Sequence, residues 1–350
     1  MKILYISDRH DGGILRHVRC LRQSLSHDVE TFEIGLGGDE EFAGRSGHDL
    51  REWWQIRRVI RDFKPDVVHF HIPALFMVLY VRLFTRLPIV RSWHTPTGGK
   101  EYLKNKLIRL LVGSSCYYLP VSGRTWEGLR KRNPNIKGEV FYNPIRINQS
   151  FLRRGGGLGI IGLIGRFADQ KDWSSFVDIC NKIIGMNSAT GKAELAEVAG
   201  LSHLKCLGVG VTEGEALAKF GEAAKIVDWQ GPQPNGREWI GKMDVFVLTS
   251  KHEEMPTVVL EAFAERTAIC GFIPEGGMSE ILSFSTGPLK EVFIKNRDTS
   301  RLAEIVMSLL KDEAKRNAVI EDGWQILTNH FDAEKNCRTQ LMDVYRRMMK

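Results

Sequence analysis

The stretch from Ser250 to Ala264, SKHEEMPTVVLEAFA, carries two carboxylates, Glu253 and Glu261, on either side of a proline-led apolar run. Pro256 suits the first turn of a helix, where its missing N–H costs nothing. The N–H groups of Thr257 and Val258 then open that helix and, with the positive end of its dipole, offer a place for an anion. Glu261 lies a turn further in, within reach of a hydroxyl pair, and Glu253 sits on the loop before the helix. A carboxylate on each side of an anion-binding helix start fits a ligand with both phosphates and sugar hydroxyls. The bland alternative is that Glu253 and Glu254 merely favour the helix N-terminus and that Glu261 is a solvated helix residue.

Other residues point the same way. Arg166 and Lys171, in GRFADQK, place two cations on one loop, which alone reads as a solvated turn. Gly12 and Gly13 follow the first strand and open the first helix, where missing side chains let backbone approach a phosphate. They do not make a GxGxxG, which weakens a dinucleotide reading. His94, in SWHTPTGG, ends a strand. His69 and His71 are read as alternating in direction, so that at most one points usefully inward, and both are kept as structural. Clustered histidines suggest a metal, yet no carboxylate or Cys lies at ligand spacing. No metal and no cofactor is therefore expected.

Such residues need a scaffold that brings them to strand ends. Short β-branched runs at Lys2–Ser7, Val29–Ile34, Asp66–His71, Ile89–His94, Tyr117–Val121 and Glu139–Tyr142 alternate with amphipathic stretches near 14–26, 50–63, 74–86, 101–112 and 123–132. After the linker-like Arg153–Gly157 the pattern restarts, with strands Leu158–Ile164, Leu195–Ala199, Lys225–Trp229, Asp244–Thr249 and Ala268–Phe272 and helices near 173–186, 213–223, 236–242 and 257–266. Residues 299–348 read as helical throughout, anchored by Trp324, Phe331 and Tyr345. Alternation of this kind means parallel sheets covered by helices on both faces. The fold expected is α/β: two doubly wound Rossmann-like domains, 1–152 and 153–330, with a helix at 331–350 packing back on the first. Ligands of such sheets sit outside the carboxyl ends of the strands, which places a substrate in a cleft between the domains.

The 350 residues, 43% hydrophobic and 26% charged, exclude a disordered or collagen-like chain and suit about two domains. The net charge of +7 is unevenly spread: residues 1–154 hold 26 Lys and Arg against 15 Asp and Glu, and the remainder is mildly acidic. A basic half suggests an anionic partner, membrane surface or nucleic acid, or simply a solvated basic face. The segment 100–111 reads as a basic amphipathic helix suited to an anionic bilayer or, equally, to a core with a solvated side. Nucleic-acid binding has no recognisable motif behind it. The six scattered cysteines form no CxxC pair, so a disulfide scaffold is excluded and a reducing compartment expected. Met1 leads directly into an apolar run too short for a signal peptide, and Ile72–Val81 falls short of the roughly 20 residues of a membrane span.

Taken in order, these segments resemble the retaining nucleotide-sugar glycosyltransferases of glycosyltransferase family 4, enzymes of GT-B architecture. The carriers are the Glu253 to Glu261 motif, the GRFADQK segment, the strand Asp244–Ser250, the turn Gly276–Ile281 and Tyr142–Pro144, which together cover nearly the whole chain. The resemblance implies a metal-independent hexosyltransferase with a UDP-sugar favoured and a GDP-sugar next. Glu261 would take the ribose hydroxyls. Arg166, Lys171 and the Thr257 and Val258 amides would take the diphosphate, Glu253 and His94 the sugar. Gly12, Gly13, Met255 and Pro256 complete the donor site. Fixed cations there stabilise the charge of a departing nucleoside diphosphate more in the transition state than in the ground state. The acceptor implied is a glycan or lipid-linked hydroxyl in polysaccharide or lipopolysaccharide synthesis. The location expected is cytoplasmic, with peripheral contact to the membrane. Glu254, Asp172, Glu265 and Arg266 depart from the family pattern. They leave a catalytically silent binding subunit as the alternative; a nicotinamide oxidoreductase lacks its glycine motif.

Overall fold

A computed structural model describes residues 1–8, 13–27, 29–36, 50–71, 75–94, 116–147, 159–188 and 204–350. The chain divides into two compact units, Met1–Arg146 with His330–Lys350, and Ile147–Asn329.

The first unit is built on a parallel sheet of six strands: β1 (Lys2–Asp8), β2 (Glu30–Leu36), β3 (Val67–Phe70), β4 (Ile89–Trp93), β5 (Cys116–Pro120) and β6 (Lys137–Gly138), in the order β2-β1-β3-β4-β5-β6. Alternate residues of β1 explain why both faces are covered. Leu4 and Ile6 join Phe70, Val78 and Val81 on one face, while Ile3 and Tyr5 join Val18, Leu21, Leu341 and Val344 on the other. Each large side chain buried this way contributes about 1.5–3 kcal/mol. Helices Leu50–Phe63 and Leu75–Phe84 lie on the first face, Gly13–Leu25 and the terminal Arg338–Met349 on the second.

The second unit repeats the plan with β7 (Ile160–Ile164), β8 (Lys205–Val209), β9 (Val227–Trp229), β10 (Val245–Leu248), β12 (Ala268–Phe272) and β14 (Phe293–Ile294), ordered β14-β12-β10-β7-β8-β9. A two-residue parallel pair, β11 (His252–Glu253) with β13 (Glu275–Gly276), stands apart from this sheet. β10 and β12 are buried along their whole length, as central parallel strands must be.

Several expectations need amendment. Glu139–Tyr142 is not a strand; β6 occupies the two residues before it. β8 is absent from the sequence reading, because Lys205 and Gly208 interrupt its apolar run. Gly208 is required there, since a Cβ would lie 2.5 Å from the Trp229 ring. The strand expected at Leu195–Ala199, the basic helix at 100–111, the linker Arg153–Gly157 and Gly12 lie outside the described residues. The C-terminal helical stretch is broken at two aspartates. Asp312 caps Glu313–Ile326 by accepting the Lys315 N–H at 2.9 Å, and Asp332 caps the turn after Phe331 by accepting the Glu334 N–H at 2.9 Å. Among the described residues no helix is long and apolar enough to cross a membrane, and all six cysteines are free.

Candidate active site

In each sheet the chain reverses its direction of winding beside its first strand. In the second unit β8 and β9 lie on one side of β7 and β10 lies on the other, so the carboxyl ends of β7 and β10 flank a topological switch point, where doubly wound sheets bind ligands. The loop after β7 carries Arg166 and Lys171; the loop after β10 carries Glu253.

These two loops are stitched together. The Lys251 N–H donates to Gln170 O at 2.8 Å, Gln170 Nε2 donates to His252 O at 2.6 Å, Thr249 Oγ1 donates to Lys171 O at 2.8 Å, and Lys251 Nζ pairs with Asp169 at 2.9 Å. The result is a contact between the two residues singled out from opposite ends of the motif set: Lys171 Nζ lies 2.5 Å from Glu253 Oε1, with both side chains more than four-fifths buried. Glu253 is fixed from behind by Gly276 and Gly277. Gly276 has φ +122°, and a Cβ on it would lie 1.8 Å from Glu253 O; the Gly277 N–H donates to that same oxygen at 2.8 Å. Arg166 is exposed, and its carbonyl is held by the Trp173 indole N–H at 3.0 Å.

The helix after Glu253 runs Thr257–Ala264, with Pro256 at the N-cap, one place earlier than expected. No side chain caps this end, so the first-turn N–H groups of Thr257 and Val258 point their dipoles outward with no side-chain acceptor from the cap. Met255 and Pro256 are buried beneath it, while Thr257, Val258 and Glu261 remain half-exposed.

The departures from the family pattern have structural reasons. Asp172 sits at φ +49°, a left-handed position that Asp tolerates better than most residues. Its carboxylate accepts from Ser174 and Ser175 at 2.6 Å and pairs with Arg297. Burial pushes its pKa up, but these hydrogen bonds and the guanidinium outweigh burial and hold it below the usual carboxylate value. Arg297 also donates to Thr249 O at 2.5 Å and Ser250 O at 3.3 Å, tying the end of β10 to Asp172. Glu265 is buried and paired with Arg237. Arg266, at φ +54°, ends the helix, pairs with Glu321 at 2.7 Å and stacks 3.8 Å from the Trp324 ring centroid. Glu254 Oε1 lies at hydrogen-bond distance, 3.0 Å, from His252 Nε2. Sequence reasoning missed Arg297, whose partners lie far away in the chain.

In the first unit the corresponding strand ends bring histidines together. Two residues apart on an extended segment, His69 and His71 share a face, and their ring centroids lie 4.2 Å apart; the expectation that at most one points inward is corrected on this geometry. His69 is structural. Its Nδ1 shares a 2.6 Å hydrogen bond with Tyr345 Oη and its Nε2 one of 2.9 Å with Ser92 Oγ, while Tyr345 also meets Tyr5 Oη at 3.0 Å. His71 belongs elsewhere, with Nδ1 3.3 Å from His94 Nε2 and His17 alongside both. Burial drives all four imidazoles toward neutrality: His69 to about 3, His94 to about 4, and His17 and His71 well below their ordinary value. Gly13 begins the helix that carries His17.

The fold and site together define a two-domain α/β glycosyltransferase. The sequence profile described as Glycosyltransferase Family 4 matches residues 13–149, and that described as Glycosyl transferases group 1 matches residues 159–312. The chain belongs to the glycosyltransferases of the family 4 type. It is similar to the putative teichuronic acid biosynthesis glycosyltransferase TuaC of Bacillus subtilis, at 26% identity over 285 residues covering 79% of this chain and 70% of that one. It is also similar to the lipopolysaccharide core biosynthesis glycosyltransferase LpsE of Rhizobium meliloti, at 22% over 178 residues covering 50% and 46% of the two. Among solved structures, HepE of Anabaena in complex with UDP-glucose superposes with a TM-score of 0.72 at 14% identity, covering 99% of this chain and 100% of that one. Sucrose-phosphate synthase of Thermosynechococcus elongatus gives 0.75 at 15% identity, covering 99% of each chain. At such identities these structures show the GT-B fold alone.

Proposed function

We propose that the protein is a retaining hexosyltransferase. It moves a sugar from a nucleoside diphosphate donor, a UDP-sugar in first place and a GDP-sugar in second, to a hydroxyl of a growing glycan or lipid-linked acceptor in surface-polysaccharide assembly. The observation that carries this reading is the Lys171–Glu253 contact at the switch point of the second sheet, beside a helix start with no side-chain cap. The names of TuaC and LpsE support the acceptor class, and the UDP-glucose bound to HepE supports the donor.

Without donor, Lys171 and Glu253 neutralise one another. An incoming diphosphate draws the Lys171 ammonium and the Arg166 guanidinium, and the Thr257 and Val258 amides add their dipoles. Glu253 is then left to accept sugar hydroxyls. Glu261 takes the ribose hydroxyls, Met255 and Pro256 line the base of the donor site, and His94, neutral and so able to accept or donate one hydrogen bond, takes a sugar hydroxyl. Gly12 and Gly13 keep the role that the family resemblance gives them, toward the donor phosphates. As the glycosidic bond breaks, negative charge grows on the leaving phosphate, and these fixed cations and amides stabilise it without a divalent ion at the diphosphate.

A nucleotide-sugar panel with glycan and lipid-linked acceptors, run without added metal and scored for diphosphate release and product anomer, tests the reading. Release from a UDP-hexose with retained configuration is expected; inversion, or no release from any UDP- or GDP-sugar, would contradict it.

Part of the same reading is contact with anionic membrane through the first unit. It is supported by the charge excess of residues 1–154 and by Trp54, Leu83 and Phe84, each about two-thirds or more exposed, with Arg57 stacked on Trp54 and Arg82 and Arg86 beside Leu83 and Phe84.

A further inference from the structure

We propose that His17, His71 and His94 form a binding site for one divalent transition-metal ion of the zinc class, with a fourth coordination position open.

The three imidazoles come from three elements of the first unit: His17 from the helix Gly13–Leu25, His71 from the end of β3 and His94 from the end of β4. One ligand atom from each lies within 4.8 Å of the other two. Their ring centroids make a triangle with edges of 4.8, 5.3 and 5.6 Å. Three imidazoles around a tetrahedral ion at about 2.0–2.1 Å from each nitrogen would place neighbouring ligand nitrogens about 3.3–3.4 Å apart and ring centroids about 5 Å apart. The His71 Nδ1 to His94 Nε2 separation of 3.3 Å already has that value.

A second observation points to a ligand. His17 is 4% exposed, yet neither of its ring nitrogens makes a well-formed hydrogen bond among the described residues, only a weak approach to the Asn143 side chain. Buried imidazole nitrogens without partners are unfavourable, and neutral rings with free lone pairs are the form a metal binds. Among the described residues no carboxylate belongs to the cluster, which suits a borderline-soft ion over Mg²⁺ or Ca²⁺. His94, half-buried, leaves a side open to a water or hydroxyl. All three ligands belong to the first unit; His94, to which the proposed function also gives a sugar hydroxyl, would meet it through its other ring nitrogen.

The full-length protein, stripped with a chelator and dialysed, is titrated with Co²⁺ alone and then Zn²⁺ alone, with no nucleotide sugar present. The expected result is about one equivalent of Co²⁺ with the intense visible absorption of a tetrahedral site, bleached by one equivalent of Zn²⁺. That signal is lost in His17→Ala and His71→Ala and kept in His330→Ala. Ring resonances of isotope-labelled histidine provide a readout on the wild type itself: three of the ten histidines should shift on adding one equivalent of Zn²⁺. Failure of the wild type to bind, binding equal in His17→Ala and wild type, or shifts confined to other histidines would overturn the proposal. Each outcome is read without nucleotide, so failure here is distinguishable from failure of the donor assignment.

Discussion

At the scale of single residues, the account rests on a few pairings whose removal has a direction. Lys171→Ala should lower kcat/KM by about 10²- to 10³-fold, as for a lost transition-state donor, and also lower the melting temperature, because it leaves the buried Glu253 unpaired; steady-state kinetics with the best donor checks it. Asp172→Ala removes a helix-capping acceptor and the partner of Arg297, and should cost about 2–4 kcal/mol in urea unfolding. The buried histidines give a pH signature. Their folded pKa values lie below the ordinary 6.5, His94 near 4 and His69 near 3, so the unfolded chain binds more protons than the folded one as pH falls from about 6.5 to 4. Stability is full above that window and declines through it, and a melting temperature that stays flat from pH 7 to 4.5 would contradict the neutral cluster. That Glu253, Glu261, Arg166 and Lys171 sit beside a strand end or helix start was legible in the sequence because periodicity locates those elements, while their proposed roles came from the family resemblance. Arg297 and the His17–His71–His94 cluster were not, because their partners are distant in the chain and a local search for ligand spacing cannot see contacts made by sheet order.

At the scale of elements, the switch point decides which loops can meet. The order β10-β7-β8 sets the loop after β7 beside the loop after β10, and the β11–β13 pair then fixes Glu253 through Gly276. Gly276→Ala meets both a left-handed φ and the Glu253 carbonyl. It should cost more than about 1 kcal/mol and weaken UDP binding, whereas Gly214→Ala, with open space around it in the helix Glu213–Phe220, should be neutral or stabilising by up to about 1 kcal/mol. Calorimetry on both variants checks the contrast. Strands of continuous apolar residues such as β10 were readable from the sequence, while β8 was not, because Gly208 makes room for Trp229 and so erases the pattern that marks a strand. The last helical stretch was readable as helix but not as several pieces, since Asp312 and Asp332 act as caps only where the chain turns.

At the scale of the molecule, two doubly wound sheets make a GT-B glycosyltransferase, and the terminal segment His330–Lys350 completes the first unit through Tyr345 and Leu341 rather than extending the second. The excess of basic residues in the first half predicts an ionic-strength-dependent preference for anionic vesicles. Flotation at low salt should show more protein on anionic than on neutral vesicles, less so for Trp54→Ala with Phe84→Ala; equal recovery on both would count against membrane contact. The central claim is that a nucleoside diphosphate binds through Lys171 and Glu261. Thermal stabilisation by UDP and by GDP, measured side by side on the wild type, Lys171→Ala and Glu261→Ala, tests it most directly, because a ligand shifts stability only through contacts it makes. The account predicts a rise in melting temperature for the wild type that is largely lost in both variants. A rise of the same size in all three would contradict it.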